Sequence, residues 1–248
     1  MKPQKFYYAY GIIETPQSKT LDPIINETGQ ELFSIVYKDI TLVASTVFDF
    51  SYTPTPENAR SHSQVITRIH EKYNVIPLRF GMVFTEEKEA VQLLASGYEE
   101  IKKILSQIRN KIELGLKVIW KKECLAAELE SRYMDLRQKK EEILALPPEC
   151  TYHSAIHLGQ LVETAVLELR DIYSEKIIEP LKEIAVDTRL NKILNERMIL
   201  NAAFLVERDK ETQFDARVNE IYEQFQDKLD FKYSGPWPPY NFVNIRLD

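Results

Sequence analysis

Apolar and polar positions recur along this chain with two periods, and the places where the period changes mark its elements. Lys5 to Glu14 holds the run Phe6-Tyr7-Tyr8-Ala9-Tyr10 and then Gly11-Ile12-Ile13, without helical spacing, which predicts a strand. Its tyrosines fall on both alternating faces, so neither face is expected to be fully wet. Residues 15 to 30 read as a loop punctuated by Pro16, Pro23, Asn26 and Gly29. Glu31 to Tyr37 and Ile40 to Phe48 then predict a hairpin about Lys38-Asp39, a turn without the favoured Asn-Gly pair. The period switches to helical after Thr55, an N-cap followed by Pro56 and Glu57, with Val65, Ile66, Ile69 and Tyr73 as the buried stripe. His62 and His70 on this helix are read as surface or half-buried. Val75 to Phe84 returns as one strand. Thr85 caps a helical stretch that Ser96-Gly97 divides in two, with Leu93, Leu94, Ile101, Ile104, Leu105 and Ile108 facing inward.

The second half opens with Ile112, Leu114, Leu116, Val118 and Trp120 on one face of a strand. Lys122 to Leu146 is helical, with Leu129, Tyr133, Leu136 and Ile143 as its seam and Lys140 interrupting it; Pro147-Pro148 ends it. A long helix follows from about Tyr152 to Glu179, with the seam Ala155, Leu158, Val162, Ala165, Leu169 and Ile172, and Pro180 kinks or restarts it. The two helices should pack as an antiparallel hairpin spanning about 122–185. Val186 to Leu194 and Met198 to Val206 predict two strands, the second central because Ala202 to Val206 has no polar face. Asp209 caps a last helix with Phe214, Val218, Ile221, Tyr222, Phe225 and Leu229 inward, and Val243 to Leu247 closes the chain as a short extended piece. The predicted fold class is therefore α+β in two domains. Residues 1–111 form an α+β unit, and 112–248 a ferredoxin-like split βαβ with the helical hairpin in place of its first helix.

Composition narrows the functional classes. A net charge of -6, with acids and bases interspersed, argues against a dedicated nucleic-acid binder. No apolar run reaches the roughly 18 residues of a membrane span, and Met1-Lys2-Pro3-Gln4 lacks a signal-peptide pattern. Cys124 and Cys150 stand without metal-ligand spacing and read as free thiols in a reducing cytosol. His153 and His157 are four apart, but Ser154, Ala155 and Ile156 between them supply no Glu base, so no metal and no cofactor is expected. Phosphate loops and nucleophile elbows are missing, and the carboxylates lie on helix faces beside lysines and arginines. Arg79 sits in an apolar stretch, where it needs an ion-pair partner or serves as an anion fork.

One C-terminal stretch stands apart. In Gly235-Pro236-Trp237-Pro238-Pro239-Tyr240-Asn241-Phe242, the prolines exclude helix and central strand and impose an extended corner entered through Gly235. Its aromatics should dock as a clasp on the second domain's core; the alternative is a recognition surface open to a partner.

This corner resembles the C-terminal signature of the gas vesicle GvpF/GvpL family, on its GvpF side. Tyr7-Tyr8-Ala9-Tyr10-Gly11-Ile12, Val75-Ile76-Pro77-Leu78-Arg79-Phe80-Gly81-Met82-Val83-Phe84 and Asn201-Ala202-Ala203-Phe204-Leu205-Val206 are similar to that family as well, in the right order across nearly the whole chain. The resemblance implies an accessory or minor structural protein of gas vesicle assembly rather than an enzyme. Its partners would be the major shell protein GvpA and other accessory proteins. It would be cytoplasmic during assembly and lie toward the gas-facing side of the shell. Arg79, Phe80 and Gly81, with Gly235, Pro236, Trp237, Pro238, Pro239 and Tyr240, are the structural or interaction candidates. The competing readings are a small-ligand or anion-binding enzyme using Arg79 and the histidines, and a nucleic-acid regulator on a ferredoxin-like sheet.

Overall fold

The aromatic stretch at the N-terminus is the central strand β1 (Phe6–Glu14) of the first sheet. The computed structural model describes residues 4–15, 24, 29, 31–48, 53–144 and 151–245. Strands β2 (Phe33–Tyr37) and β3 (Ile40–Val47) form the expected hairpin, with Tyr37 opposite Ile40 and Lys38 at φ 51° in the two-residue turn. The stretch read as one strand from Val75 to Phe84 is instead two, β4 (Val75–Pro77) and β5 (Val83–Phe84), and both pair with β1. The sheet order is β2-β3-β1-β4, with β5 alongside β1.

Both faces of this sheet are covered. Helix α1 (Pro56–Lys72) begins at Thr55, whose Oγ1 accepts from the Asn58 N–H, and it lays Val65, Ile66 and Ile69 against Tyr8, Tyr10, Ile13 and Val43. Helices α2 (Glu87–Ser96) and α3 (Tyr98–Ile108) cover the other face, packing Leu94, Ile101 and Leu105 on Ala9, Ile12 and Leu42. The N-cap of α2 is Glu86 rather than Thr85; the Glu89 carboxylate folds back to accept from the Thr85 N–H and hydroxyl. Burial on two faces explains the absence of alternation in β1. The switch of faces occurs at a register shift between Ala9 and Gly11. A Cβ on Gly11 would lie 2.5 Å from Val75 Cγ2 and 2.9 Å from the Ile76 carbonyl oxygen, so β4 can approach only a glycine here.

The second sheet has the order β7-β8-β6-β9. Its strands are β6 (Lys111–Trp120), β7 (Asp187–Leu190), β8 (Met198–Glu207) and β9 (Leu229–Trp237). At the end of β6 the Trp120 N–H donates to the Arg197 carbonyl and the Lys121 N–H to the Lys228 carbonyl. The end of β6 thus meets the starts of β8 and β9, so it runs antiparallel to both, as β7 does to β8. β8 is central and buried on both faces, as its lack of a polar side implied. β9 is an edge strand that begins at Leu229 and runs into Pro236 and Trp237, a strand the sequence reading had treated as the end of a helix and a corner.

Helices of this sheet also depart from expectation. The first helical arm breaks at Tyr133 into α4 (Lys122–Arg132) and α5 (Met134–Leu144). Helix α6 (Thr151–Lys182) continues through Pro180. Tyr133 bonds to Glu168 and Lys139 to His157, so α5 and α6 are antiparallel. The buried seam of α6 is Ala165, Leu169, Tyr173, Ile177 and Leu181, whereas Ala155 and Ile172 are exposed. Helix α7 (Glu211–Phe225) is preceded by a 3-10 turn at Arg208–Lys210 that contains Asp209, so Asp209 is not its N-cap. Phe214 and Phe204 rings meet at 5.1 Å, joining α7 to β8. The Pro147-Pro148 turn, Cys150 and most of the 15–30 loop lie outside the described residues.

The fold is thus mixed α+β on two antiparallel sheets. The chain divides into two compact units, Met1–Glu113 with Pro236–Asp248, and Leu114–Gly235. The reading that placed all of 112–248 in one domain assigned the C-terminal corner to the second unit; in the structure it groups with the first.

Candidate functional site

Two consecutive residues of β1 hold the two ends of a small loop. The Leu78 N–H donates to the Tyr10 carbonyl and the Ala9 N–H donates to the Met82 carbonyl, both at 2.9 Å. Arg79, Phe80 and Gly81 are therefore extruded from the sheet edge between β4 and β5. Gly81 adopts φ 85°, a left-handed conformation that glycine takes without steric cost. Arg79 is exposed, and no carboxylate among the described residues pairs with it. The buried structural ion pair considered for it is not formed among the described residues.

His62 pins this loop from below. Its Nε2 lies 3.0 Å from the Leu78 carbonyl, its Nδ1 lies 2.9 Å from the Tyr8 hydroxyl, and that hydroxyl accepts from the Gly81 N–H at 3.2 Å. The proton positions follow by elimination. A carbonyl only accepts, so Nε2 carries the hydrogen; an amide only donates, so the Tyr8 O–H turns to Nδ1. Tyr10 stacks on the imidazole at 5.6 Å, and Phe80 meets it edge-on at 5.7 Å. Burial pushes His62 below its ordinary pKa of 6.5, against the Leu78 bond. Both ring nitrogens of this neutral imidazole are committed. His62 and His70 are 6% and 4% exposed, which corrects the reading of both as surface or half-buried.

The C-terminal corner meets the same region. Pro238 and Pro239 are buried, while Trp237 and Tyr240 are 42% and 39% exposed, the reverse of an aromatic clasp. A tight turn follows, with the Tyr240 N–H bonded to the Pro238 carbonyl and the Phe242 N–H to the Pro239 carbonyl. Asn241 fixes it: its backbone N–H and side-chain amide donate to the two oxygens of the buried Glu113 carboxyl at 2.7 and 2.6 Å. Burial raises the Glu113 pKa, and the two Asn241 bonds oppose that rise. Val243 and Ile245 then pack, partly buried, against the core cluster that holds Leu78, Leu94 and Ile101. Residues 243–245 form no strand, and 246–248 lie outside the described residues.

Loop, helix α1 and tail enclose a cavity of about 510 Å³, walled by Leu78, Phe80, Met82, Val243 and Ile245, with Arg79, Tyr240 and Ser63 among its polar lining. Two stretches singled out in the sequence, around Arg79 and around Tyr240, thus border one cavity. Gly235 and Pro236 lie in β9, exposed, and are not among its lining residues. The reading missed Tyr8 and His62 as a pair and Glu113 with Asn241. The signal was present for the second only as an acid inside an otherwise alternating apolar strand.

In the second unit the described polar cluster centres on Glu128. It accepts from Arg132 at 2.6 Å, Tyr173 at 2.7 Å and Lys228 at 2.7 Å. Burial alone would raise this carboxyl, but the three donors outweigh it and hold the pKa at about 2. His153 and His157 are exposed on α6, and no cluster with metal-ligand composition occurs among the described residues.

What fold and site define is a two-unit α+β protein on antiparallel sheets, with an arginine loop and a proline corner at one cavity of the first unit. The family model described as gas vesicle synthesis protein GvpL/GvpF matches residues 6–244, and the chain belongs to that family. It is 25% identical over 241 residues to gas vesicle protein F of a Nostoc species, covering 96% of this chain and 98% of the relative. Gas vesicle protein F1 of Halobacterium salinarum is 24% identical over 97% of this chain and 93% of its own length. The crystal structure of GvpF from an Anabaena species superposes with a TM-score of 0.87 at 26% identity, covering 98% of this chain and 99% of that one. GvpF from Microcystis aeruginosa gives a TM-score of 0.79 at 25% identity, covering 97% and 99%.

Proposed function

We propose that this chain is an accessory protein of gas vesicle assembly that binds the major shell protein GvpA and other accessory proteins. It acts in the cytoplasm during assembly and then lies on the gas-facing side of the shell. The observation that carries this reading is the family match from residue 6 to 244, with relatives aligned over nearly their full lengths. The surface assigned to partners is the Arg79-Phe80 loop with the exposed Trp237 and Tyr240. In the same reading the second unit is a ferredoxin-like split βαβ carrying the helical hairpin, which its strand order supports. An anion-binding enzyme centred on Arg79 is disfavoured, because His62, the nearest imidazole, has no free nitrogen to act as acid or base.

The test is capture of the shell protein. A tagged chain expressed in cells forming gas vesicles should retain shell protein through washing at moderate salt. Absence of shell protein at bait levels that retain another accessory protein would refute direct shell binding.

A further inference from the structure

The cavity beside Arg79 is unbalanced in charge. None of its described lining residues is acidic, although the whole chain carries -6. Of its other polar side chains, Asn244 is exposed at the rim, and His62 and Ser63 are already engaged. His62 is neutral with both nitrogens bonded, and the Ser63 hydroxyl donates to the Ala59 carbonyl and meets the Tyr240 hydroxyl. Among the described residues this leaves the exposed Arg79 guanidinium as the charged group, with the neutral Asn244 amide, above apolar walls formed by Phe80, Met82, Val243 and Ile245.

We infer that this cavity receives a protein segment that presents an apolar side chain next to a carboxylate, the side chain entering the cavity and the carboxylate pairing with Arg79. A volume of about 510 Å³ accommodates a Leu- or Phe-sized group with room for its backbone. A guanidinium fork matches a carboxylate in two parallel hydrogen bonds, and such a pair discriminates strongly against the neutral amide. The loop suits the role because it is held from behind: His62, Tyr8 and the two β1 backbone bonds fix Leu78 and Gly81 while leaving Arg79 outside. Pre-organisation of this kind lowers the entropic cost of docking. The inference rests on the proposal that this chain binds protein partners, and it names the chemistry one such partner must carry.

The experiment titrates the full chain with two capped peptides, acetyl-Leu-Leu-Glu-Leu-amide and its Gln counterpart, by calorimetry and by chemical-shift perturbation. The Glu peptide should bind about tenfold more tightly than the Gln peptide and shift resonances of Arg79, Phe80 and Tyr240. Arg79→Gln, at an exposed position that folding does not need, should erase the difference between the peptides. Ala59→Trp, which fills the mouth, should abolish both. Equal binding of the two peptides overturns the inference, as does a preference that survives Arg79→Gln or no binding by either. Shell-protein capture is scored separately. Capture unaffected by Arg79→Glu sinks the inference and leaves the assembly role standing, whereas failure of wild-type capture strikes the role alone if the peptides discriminate.

Discussion

Tyr8 shows how much one side chain can determine. Its hydroxyl takes the Gly81 N–H and gives its own hydrogen to His62, so one oxygen ties β1, α1 and the arginine loop together. Tyr8→Phe keeps the ring and leaves the imidazole Nδ1 buried without a donor, which should cost about 1–3 kcal/mol, measured by urea unfolding. His62 adds a pH dependence. Its folded pKa is below the ordinary 6.5, so below that value the unfolded chain takes up a proton that the folded chain refuses. Stability should therefore fall on acidification from about pH 6.5 and level off below the folded pKa. His62→Gln should lose that segment of the profile, and an unchanged slope in the variant would mean that other groups produce it. None of this was legible in the sequence, because the partners lie 54 and 16 residues away from His62. A histidine on an apolar helix stripe looks the same whether or not its nitrogens find partners.

Elements were legible where their causes are local. The Thr55-Pro56 start of α1 and the Ser96-Gly97 division needed only neighbouring residues. The break between β4 and β5 was hidden because the residues from Val75 to Phe84 are apolar apart from Arg79, while its cause is backbone bonding to Ala9 and Tyr10. In α6 the predicted seam slipped at its end: the true line passes through Leu169 and Tyr173, with Tyr173 edge-on to Trp120 at 4.7 Å, and Ile172 faces outward. Leu169→Asp should thus cost on the order of 2–4 kcal/mol, whereas Ile172→Asp should stay below about 1 kcal/mol; thermal melts compare them directly. Glu128 supplies the other element-scale test. It links α4 to α6 and to the start of β9 through Tyr173 and Lys228. A carboxyl lowered from 4.5 to about 2 adds stability above pH 4.5 that is lost as pH falls toward 2. Glu128→Gln should remove that acid-sensitive part and cost about 1–3 kcal/mol at neutral pH, less than a fully buried pair because Arg132 and Lys228 are 40% and 47% exposed and can rehydrate.

At the scale of the whole chain, the consequential feature is that the polypeptide leaves its first unit after Glu113 and returns to it from Pro236. The sequence reading took the tail for a clasp on the second domain because it follows that domain in order, and covalent order says nothing about which core a tail joins. What docks on the first unit is instead the buried prolines, Asn241 on Glu113, and Val243 with Ile245 on the core. Removing residues 236 to 248 should accordingly destabilise the first unit. Two hydrogen bonds to a carboxylate contribute about 1.5–3 kcal/mol each, and two half-buried aliphatic side chains about 1 kcal/mol each. Discounted for the hydration that Glu113 regains, the loss should be about 3 kcal/mol, a large part of a typical 5–15 kcal/mol total. Hydrogen exchange of the truncated chain should show protection lost in β1, β3 and β4 while β8 and α7 retain theirs. Asn241→Ala gives the same direction at smaller size, and a peptide of residues 236 to 248 added in trans should restore part of the protection. If protection is instead lost first in β8 and α7, the tail belongs to the second unit after all and the division at Glu113 must be redrawn.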